Sequence, residues 1–196
     1  MNEHAGIGVP RQYHELLART KELGFGMPSD QATGVLLRCL AASKPGGRAL
    51  ELGTGTGLGT SWLLDGMDSE TRLDSVESEG RWLEVARACL GADSRLTLFC
   101  EDGLEFLKRC PNDTYDLIFA DTWPGKFFGF EHTLRIMRRG GILVLDDLLP
   151  QPNWPADHPP KVARLLEHLD KLPRERFSVV KLWWQTGHVL LTKRGW

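Results

Sequence analysis

The chain has 196 residues, 24 Lys+Arg against 26 Asp+Glu, and a formal net charge of −2, a size that favours a single domain. A hydrophobic fraction of 41% with 7 Trp and 8 Phe supplies a packed core and excludes a disordered chain, while the near-zero charge excludes the Lys/Arg surplus with which nucleic-acid clamps displace counterions. No apolar run approaches the roughly 18 residues of a membrane span, and MNEHAGIGVPRQYHELL lacks the basic-then-apolar order of a secretory signal, so a cytoplasmic protein with neither membrane nor nucleic-acid partners is expected.

Two helical patterns, over about 10–24 and 29–43, open the chain, the second behind an N-cap signal at Ser29/Asp30. RALELG (48–53) is a buried strand, followed by a glycine loop and a helix from near Leu58. RLDSVE (72–77) is the second strand, and a helix over 79–90 follows with Trp82, Val85, Ala86 and Cys89 on one face. RLTLFC (95–100), YDLIFAD (115–121) and GGILVLDD (140–147) are the third to fifth strands. The Pro-rich stretch LLPQPNWPADHPP (148–160) interrupts this rhythm and forms either a lid or a rigid connection; a helix over 160–171 comes next. FSVVKLWW and HVLLTK, separated by Gln185-Thr186-Gly187, form an antiparallel hairpin in which Trp183 and Trp184 alternate faces, so that one is core. Short apolar runs alternating with amphipathic ones define an α/β fold: a doubly wound, mostly parallel seven-stranded sheet with a C-terminal antiparallel hairpin. A single domain over 1–196 is expected, with N-terminal helices to residue 45 and the sheet core over 46–196. Cys39, Cys89, Cys100 and Cys110 have no CxxC spacing and lie in apolar surroundings, which favours buried reduced thiols over zinc or disulfides.

Sheets of this kind bind ligands beyond the carboxyl ends of their strands. The first such turn is ELGTGTGLG, containing Gly53-Thr54-Gly55-Thr56-Gly57. It fits neither G-x-G-x-x-G nor the phosphate loop with its lysine. It is instead E-x-G-x-G-x-G, and Glu51 is a poor neighbour for phosphate and a good one for an ammonium group. Glu77 ends the second strand 24 positions after Gly53, near the offset at which a strand-end carboxylate accepts ribose hydroxyls. Asp102-Gly103, after the third strand, places a carboxylate for an adenine amino group. Ribose, adenine and ammonium without phosphate describe S-adenosylmethionine. For any one of these acids, plain helix capping is the competing explanation.

ALELGTGTG, the acidic end of SVE, EDG and YDLIFAD together resemble the motifs of class I S-adenosylmethionine-dependent methyltransferases, over about residues 30–150, and the fold so implied is Rossmann-like. Within that superfamily the chain is similar to the catechol-type O-methyltransferases. The resemblance implies that Glu51, Gly53, Thr54, Gly55, Thr56, Gly57, Thr60, Glu77, Asp102, Gly103 and Asp121 bind cofactor, with Thr56 or Thr60 giving the hydroxyl that holds the methionine carboxylate. It also implies a divalent cation, most often Mg²⁺, on Asp121, Asp146 and Asp147, which would lower the pKa of an acceptor hydroxyl. Three converging carboxylates repel unless protonated, solvated or bridged; rim capping by Asp146 and Asp147 is the alternative. Asp147 replaces the family's usual Asn, and Lys126 lies five positions after Asp121, farther than the family's catalytic lysine.

The expected reaction moves a methyl group to a hydroxyl of a small, flat or aromatic acceptor, with Asp121, Lys126 and Asp146 as catalytic residues. Trp123, Phe127, Phe128, Phe130 and Trp154 either wall the acceptor pocket or pack, the latter favoured for the three Phe. His158 is expected to be solvated, and His132 and His168 to lie on helix surfaces. An aminopropyltransferase-like polyamine enzyme and a non-catalytic adenosyl-binding module are the alternatives. A homodimer is compatible with the exposed sheet edge or the N-terminal helices.

Overall fold

The computed structural model describes residues 8–195, so the stretch read for a secretory signal lies in part outside the described residues. The chain divides into two compact units at Glu101/Asp102. In the first, helices α1 (Tyr13–Glu22) and α2 (Gln31–Ala42) precede β1 (Arg48–Leu52), α3 (Leu58–Gly66), β2 (Arg72–Glu77), α4 (Gly80–Leu90) and β3 (Leu96–Cys100). Asp30 caps α2 by accepting a hydrogen bond from Thr33 N at 2.8 Å, as its sequence signal predicts. β1 and β3 flank β2 in parallel, with Leu50 opposite Asp74 and Asp74 opposite Thr97. Ala49 to Leu52 are buried without alternation, the mark of a parallel strand covered on both faces. Trp62 of α3 lies directly against Gly34 of α2.

The second unit contains α5 (Gly103–Arg109), β4 (Tyr115–Ala120), α6 (Phe130–Ile136), β5 (Met137–Leu145), α7 (His158–Asp170), β6 (Phe177–Leu182) and β7 (His188–Lys193). β4 and β5 are parallel, and β7 runs antiparallel to both β5 and β6, with Val144 opposite Leu190 and Val180 opposite Leu190. The seven-stranded sheet has the order β3-β2-β1-β4-β5-β7-β6. The doubly wound, mostly parallel α/β class with a C-terminal antiparallel hairpin is therefore the observed one. Among the described residues no helix is long and apolar enough to cross a membrane.

Several local expectations are corrected. β6 ends at Leu182, so Trp183 and Trp184 both fall in the turn, 54% and 41% exposed, and neither is core. All four cysteines are free, but only Cys110 is buried. Cys39 lies on the outer side of amphipathic α2, and Cys100 ends the edge strand β3. α4 buries Leu83, Val85, Ala86 and Leu90, and Trp82 and Cys89 sit at the margin of that face. β5 begins at Met137, directly where α6 ends.

Candidate active site

The glycine loop of the first unit is built on Glu51. The residue lies within β1 and is wholly buried. Its Oε2 accepts hydrogen bonds from Thr60 Oγ1 and Ser75 Oγ, each at 2.5 Å, and Ser75 is joined in turn to Thr54 Oγ1 at 2.6 Å. Its Oε1 has no hydrogen-bond partner among the described residues. Burial, opposed by the Ser75 and Thr60 hydroxyls and reinforced by the charge of Glu77, raises the carboxyl pKa to about 7.

The loop above Glu51 is held by backbone bonds: Gly53 N and Thr54 N donate to Val76 O at 2.9 and 3.2 Å. Gly57 enters α3 at φ 96°, and a Cβ there would stand 2.9 Å from that of Ala86, so the turn into the helix requires glycine. Gly55 N donates to Glu77 Oε2 at 2.9 Å, and Glu79 N donates to Glu77 Oε1 at 2.9 Å. The expected cofactor residues of this unit, Glu51, Gly53 to Gly57, Thr60 and Glu77, thus form one bonded cluster. The two threonine hydroxyls are already committed. Thr60 donates to Glu51. Thr20 Oγ1 donates to Leu16 O at 2.6 Å, which leaves Thr56 Oγ1 to donate to Thr20 across 2.7 Å. Phe25, its ring tilted 58° against that of Trp82 with centroids 5.0 Å apart, packs against Gly55. Thr20, Phe25 and Ser75 carry no motif; only Ser75, a hydroxyl in the middle of a buried strand, left a signal in the sequence.

In the second unit, Asp102 is exposed and caps α5, its Oδ1 accepting from Leu104 N and Glu105 N at 2.8 and 3.0 Å, with Gly103 as the first helical residue. Asp121 follows β4 and is half-buried. Asp146 N donates to Ala120 O at 3.3 Å, which makes the strand ends bearing Asp121 and Asp146 neighbours, as expected. Asp146 is 3% exposed. Its Oδ1 accepts from Asp147 N at 2.6 Å, from His188 Nε2 at 3.1 Å and from Thr186 Oγ1. Burial works against ionisation, but His188, Thr186 and the Asp147 amide outweigh it and hold the carboxyl below the usual carboxylate range.

Asp147 adopts φ 62°. Trp154 Nε1 donates to its Oδ1 at 2.6 Å, and His158 Nε2 lies 3.4 Å from its Oδ2 and 3.3 Å from its carbonyl oxygen. Trp154 stacks on His158, with centroids 4.2 Å apart, and Trp123 Nε1 donates to His158 Nδ1 at 3.3 Å, which leaves the ring proton on Nε2. His158 is therefore no solvated loop residue: it begins α7, is 3% exposed, and burial lowers its pKa. Lys126 is 2% exposed and its Nζ donates to Asp146 O at 2.8 Å. Folded inward by the turn in which Phe127 N and Phe128 N donate to Trp123 O, it anchors the rim and offers no base to an acceptor. Phe130 is buried and Phe128 is exposed. His168 lies exposed on α7, and His132 is half-buried on α6.

These contacts test the divalent cation. Asp146 Oδ1 is engaged by His188, Thr186 and the Asp147 amide, the two side-chain oxygens of Asp147 face Trp154 and His158, and among the described residues no group of three His, Cys, Asp or Glu side chains can hold a metal ion. The residues do not fit a divalent ion, and no step is routed through one.

A glycine loop after the first strand of a seven-stranded, mostly parallel sheet with an antiparallel β7 defines a Rossmann-like α/β class. The chain belongs to the methyltransferase-domain family, whose profile matches residues 50–148. A Mycobacterium tuberculosis protein named "Probable O-methyltransferase" is 34% identical over 133 residues, which cover 65% of this chain and 58% of that protein; the chain thus spans less than two thirds of that relative's length. The O-methyltransferase TomG from Streptomyces achromogenes, involved in tomaymycin synthesis and solved in complex with SAM, superposes with a TM-score of 0.83 at 21% identity, covering 98% of this chain and 94% of that one. An O-methyltransferase from Bacillus cereus in complex with SAH gives 0.81 at 21% identity, covering 96% and 93%. At such identities the likeness establishes the fold.

Proposed function

We propose that the chain is a single-domain S-adenosylmethionine-dependent O-methyltransferase acting on a hydroxyl of a small, flat or aromatic acceptor. The observation that carries this reading is the open Oε1 of wholly buried Glu51 beneath the glycine loop. A carboxylate desolvated this completely is stabilised by a cation at its unpaired oxygen, and the cofactor's ammonium group is such a cation. The glycines fit the same ligand, since backbone without side chains admits a nucleoside closely. Glu77, whose oxygens accept the Gly55 and Glu79 amides and the Ser78 hydroxyl, suits the ribose hydroxyls, and Asp102 the adenine amino group.

When bound, the cofactor supplies an electrophilic methyl group on a sulfonium. The chain's own part is then orientation, which is worth roughly 7–11 kcal/mol when reacting atoms are held near contact, together with removal of the hydroxyl proton. We assign that proton to Asp121, a half-buried carboxylate at the end of β4 that can orient the hydroxyl by accepting its hydrogen bond. Trp123 and Trp154, held through His158, supply flat apolar surface beside it.

Calorimetry on the full chain with S-adenosylmethionine and S-adenosylhomocysteine tests the cofactor half of this reading; absence of heat with both refutes it. A panel of phenolic, catecholic and aliphatic hydroxyl acceptors with methyl-labelled cofactor tests the reaction. Label transferred to oxygen, and lost in Asp121→Asn with cofactor affinity retained, is the expected result. Transfer to amine acceptors alone would refute the hydroxyl assignment.

A further inference from the structure

We propose that this chain transfers its methyl group without a divalent cation, and that Asp146 and Asp147 instead fasten the Pro-rich segment 148–157 and the β6–β7 turn to the end of β5. The inference rests on the methyltransferase reading above and removes from it the metal that the sequence resemblance implies.

The case is made by counting donors. A carboxylate oxygen has two lone pairs. Asp146 Oδ1 already accepts from the Asp147 amide at 2.6 Å, the His188 imidazole at 3.1 Å and the Thr186 hydroxyl, so it is saturated. A divalent ion at this oxygen, with its ligands at about 2 Å, would have to evict donors, among them the wholly buried His188, which has no water to turn to. Asp147, whose extra negative charge relative to Asn would favour a cation, is answered by Trp154 Nε1 at 2.6 Å and by His158 Nε2 at 3.4 Å. A positive charge also already occupies this strand end: Lys126 Nζ lies 2.8 Å from the carbonyl oxygen of Asp146 and repels a second cation there.

The same bonds show what the two acids do instead. Leu148 N and Leu149 N donate to Thr186 O at 3.0 and 2.7 Å, and the Thr186 hydroxyl closes onto Asp146. The β6–β7 turn and the start of the Pro-rich segment are thereby tied to one carboxylate. Asp147 turns the chain at φ 62° and receives Trp154 and His158 from the far end of that segment. The segment is closed into a loop stapled at both ends, a fixed wall for the acceptor.

The test uses the full chain stripped with EDTA and titrated with Mn²⁺ in the presence of S-adenosylhomocysteine, with free Mn²⁺ read by electron paramagnetic resonance. The expected result is no binding up to roughly 1 mM, the weak end of protein sites for hard cations. One equivalent bound at least tenfold more tightly, and lost in Asp147→Ala, overturns the proposal. Turnover on an acceptor from the panel above is expected to be unchanged in EDTA; a loss of tenfold or more that Mg²⁺ restores also overturns it. For the fastening role, amide exchange in Asp147→Ala is expected to accelerate across 148–157 by tenfold or more, and unchanged exchange there refutes it. Failure to bind S-adenosylhomocysteine would strike the methyltransferase reading alone, since Mn²⁺ binding is read independently of it.

Discussion

Glu51 in the first unit and Asp146 in the second are both carboxylates at the sheet, 0% and 3% exposed, yet their surroundings push them in opposite directions. Glu51 receives two hydroxyls on one oxygen and nothing on the other, so desolvation prevails and its pKa rises to about 7. Asp146 receives an amide, a hydroxyl and an imidazole on one oxygen, and its pKa falls despite comparable burial. A buried acid left short of positive partners is poised for a ligand that brings one, whereas a buried acid whose ionised form is supported by donors from within the chain is part of the framework. Burial alone does not separate the two roles; the donor set does.

The widest test of this contrast is Asp146→Ala. It leaves wholly buried His188 and the Thr186 hydroxyl facing a void, and breaking a buried pair in this way costs about 3–5 kcal/mol. Urea unfolding should show that loss, with cofactor affinity per folded molecule little changed. A stable Asp146→Ala protein that no longer binds cofactor would reverse the roles assigned to the two acids.

Glu51→Gln should do the opposite, lowering S-adenosylhomocysteine affinity by roughly 100-fold, about 3 kcal/mol, while improving stability at alkaline pH. The sign follows from linkage. The folded pKa, about 7, lies above the ordinary value of 4.5, so between them the folded state holds the proton that the unfolded state has released. Stability contributed by protonated Glu51 is complete below pH 4.5 and declines until pH 7, by about 3 kcal/mol. Asp146 acts in another window: its folded pKa lies below 3.8, so its contribution is complete above that value and is lost only as acid protonates the folded carboxyl. The lowered pKa of His158 works in the opposite sense in this window, so the test is the comparison of the two chains: the native chain should lose most of the Glu51 amount relative to Glu51→Gln between pH 5 and pH 8. Parallel profiles for the two chains would mean that Glu51 is not the poised acid of the pair.

Thr60→Val sharpens the contrast at a smaller scale. It removes one of the two donors to Glu51 Oε2, moves the acid further from the condition of Asp146, and should raise the midpoint of the pH-dependent stability loss, at a cost of about 1 kcal/mol above pH 7. A midpoint that stays in place would show that the Thr60 hydroxyl does not support the ionised form.

The sequence made one side of this comparison far more legible than the other. Parallel strands buried on both faces leave continuous apolar runs, and strand-end acids and glycines stand out against them; Glu51, the glycine loop, Glu77, Asp121, Asp146 and Asp147 could all be placed that way. What decides the fate of each acid is its partners, and these come from remote positions: Thr186 lies 40 residues from Asp146, and Thr20 lies 36 from Thr56. No periodicity encodes such pairings. His158 illustrates the gap, since a histidine among prolines suggests solvent, whereas as the first residue of α7 it is sealed between Trp123 and Trp154. The helices α5 and α6 escaped for a different reason: each has seven residues, about two turns, too few for a periodic signal to rise above its flanks.

The smallest effect belongs to Trp154→Phe. The ring that stacks on His158 at 4.2 Å is largely kept, and only the indole N–H to Asp147 Oδ1 is removed. Asp147 is half-buried, so water can replace the donor, and the cost should stay near 0.5–1 kcal/mol. Amide exchange over 148–157 should quicken while the β1 and β2 amides around Glu51 keep their protection, because the bond removed belongs to the framework of the second unit. If Trp154→Phe instead weakens S-adenosylhomocysteine binding by tenfold with exchange unchanged, the Pro-rich segment serves the cofactor directly, and Asp147 moves to the side of the comparison occupied by Glu51.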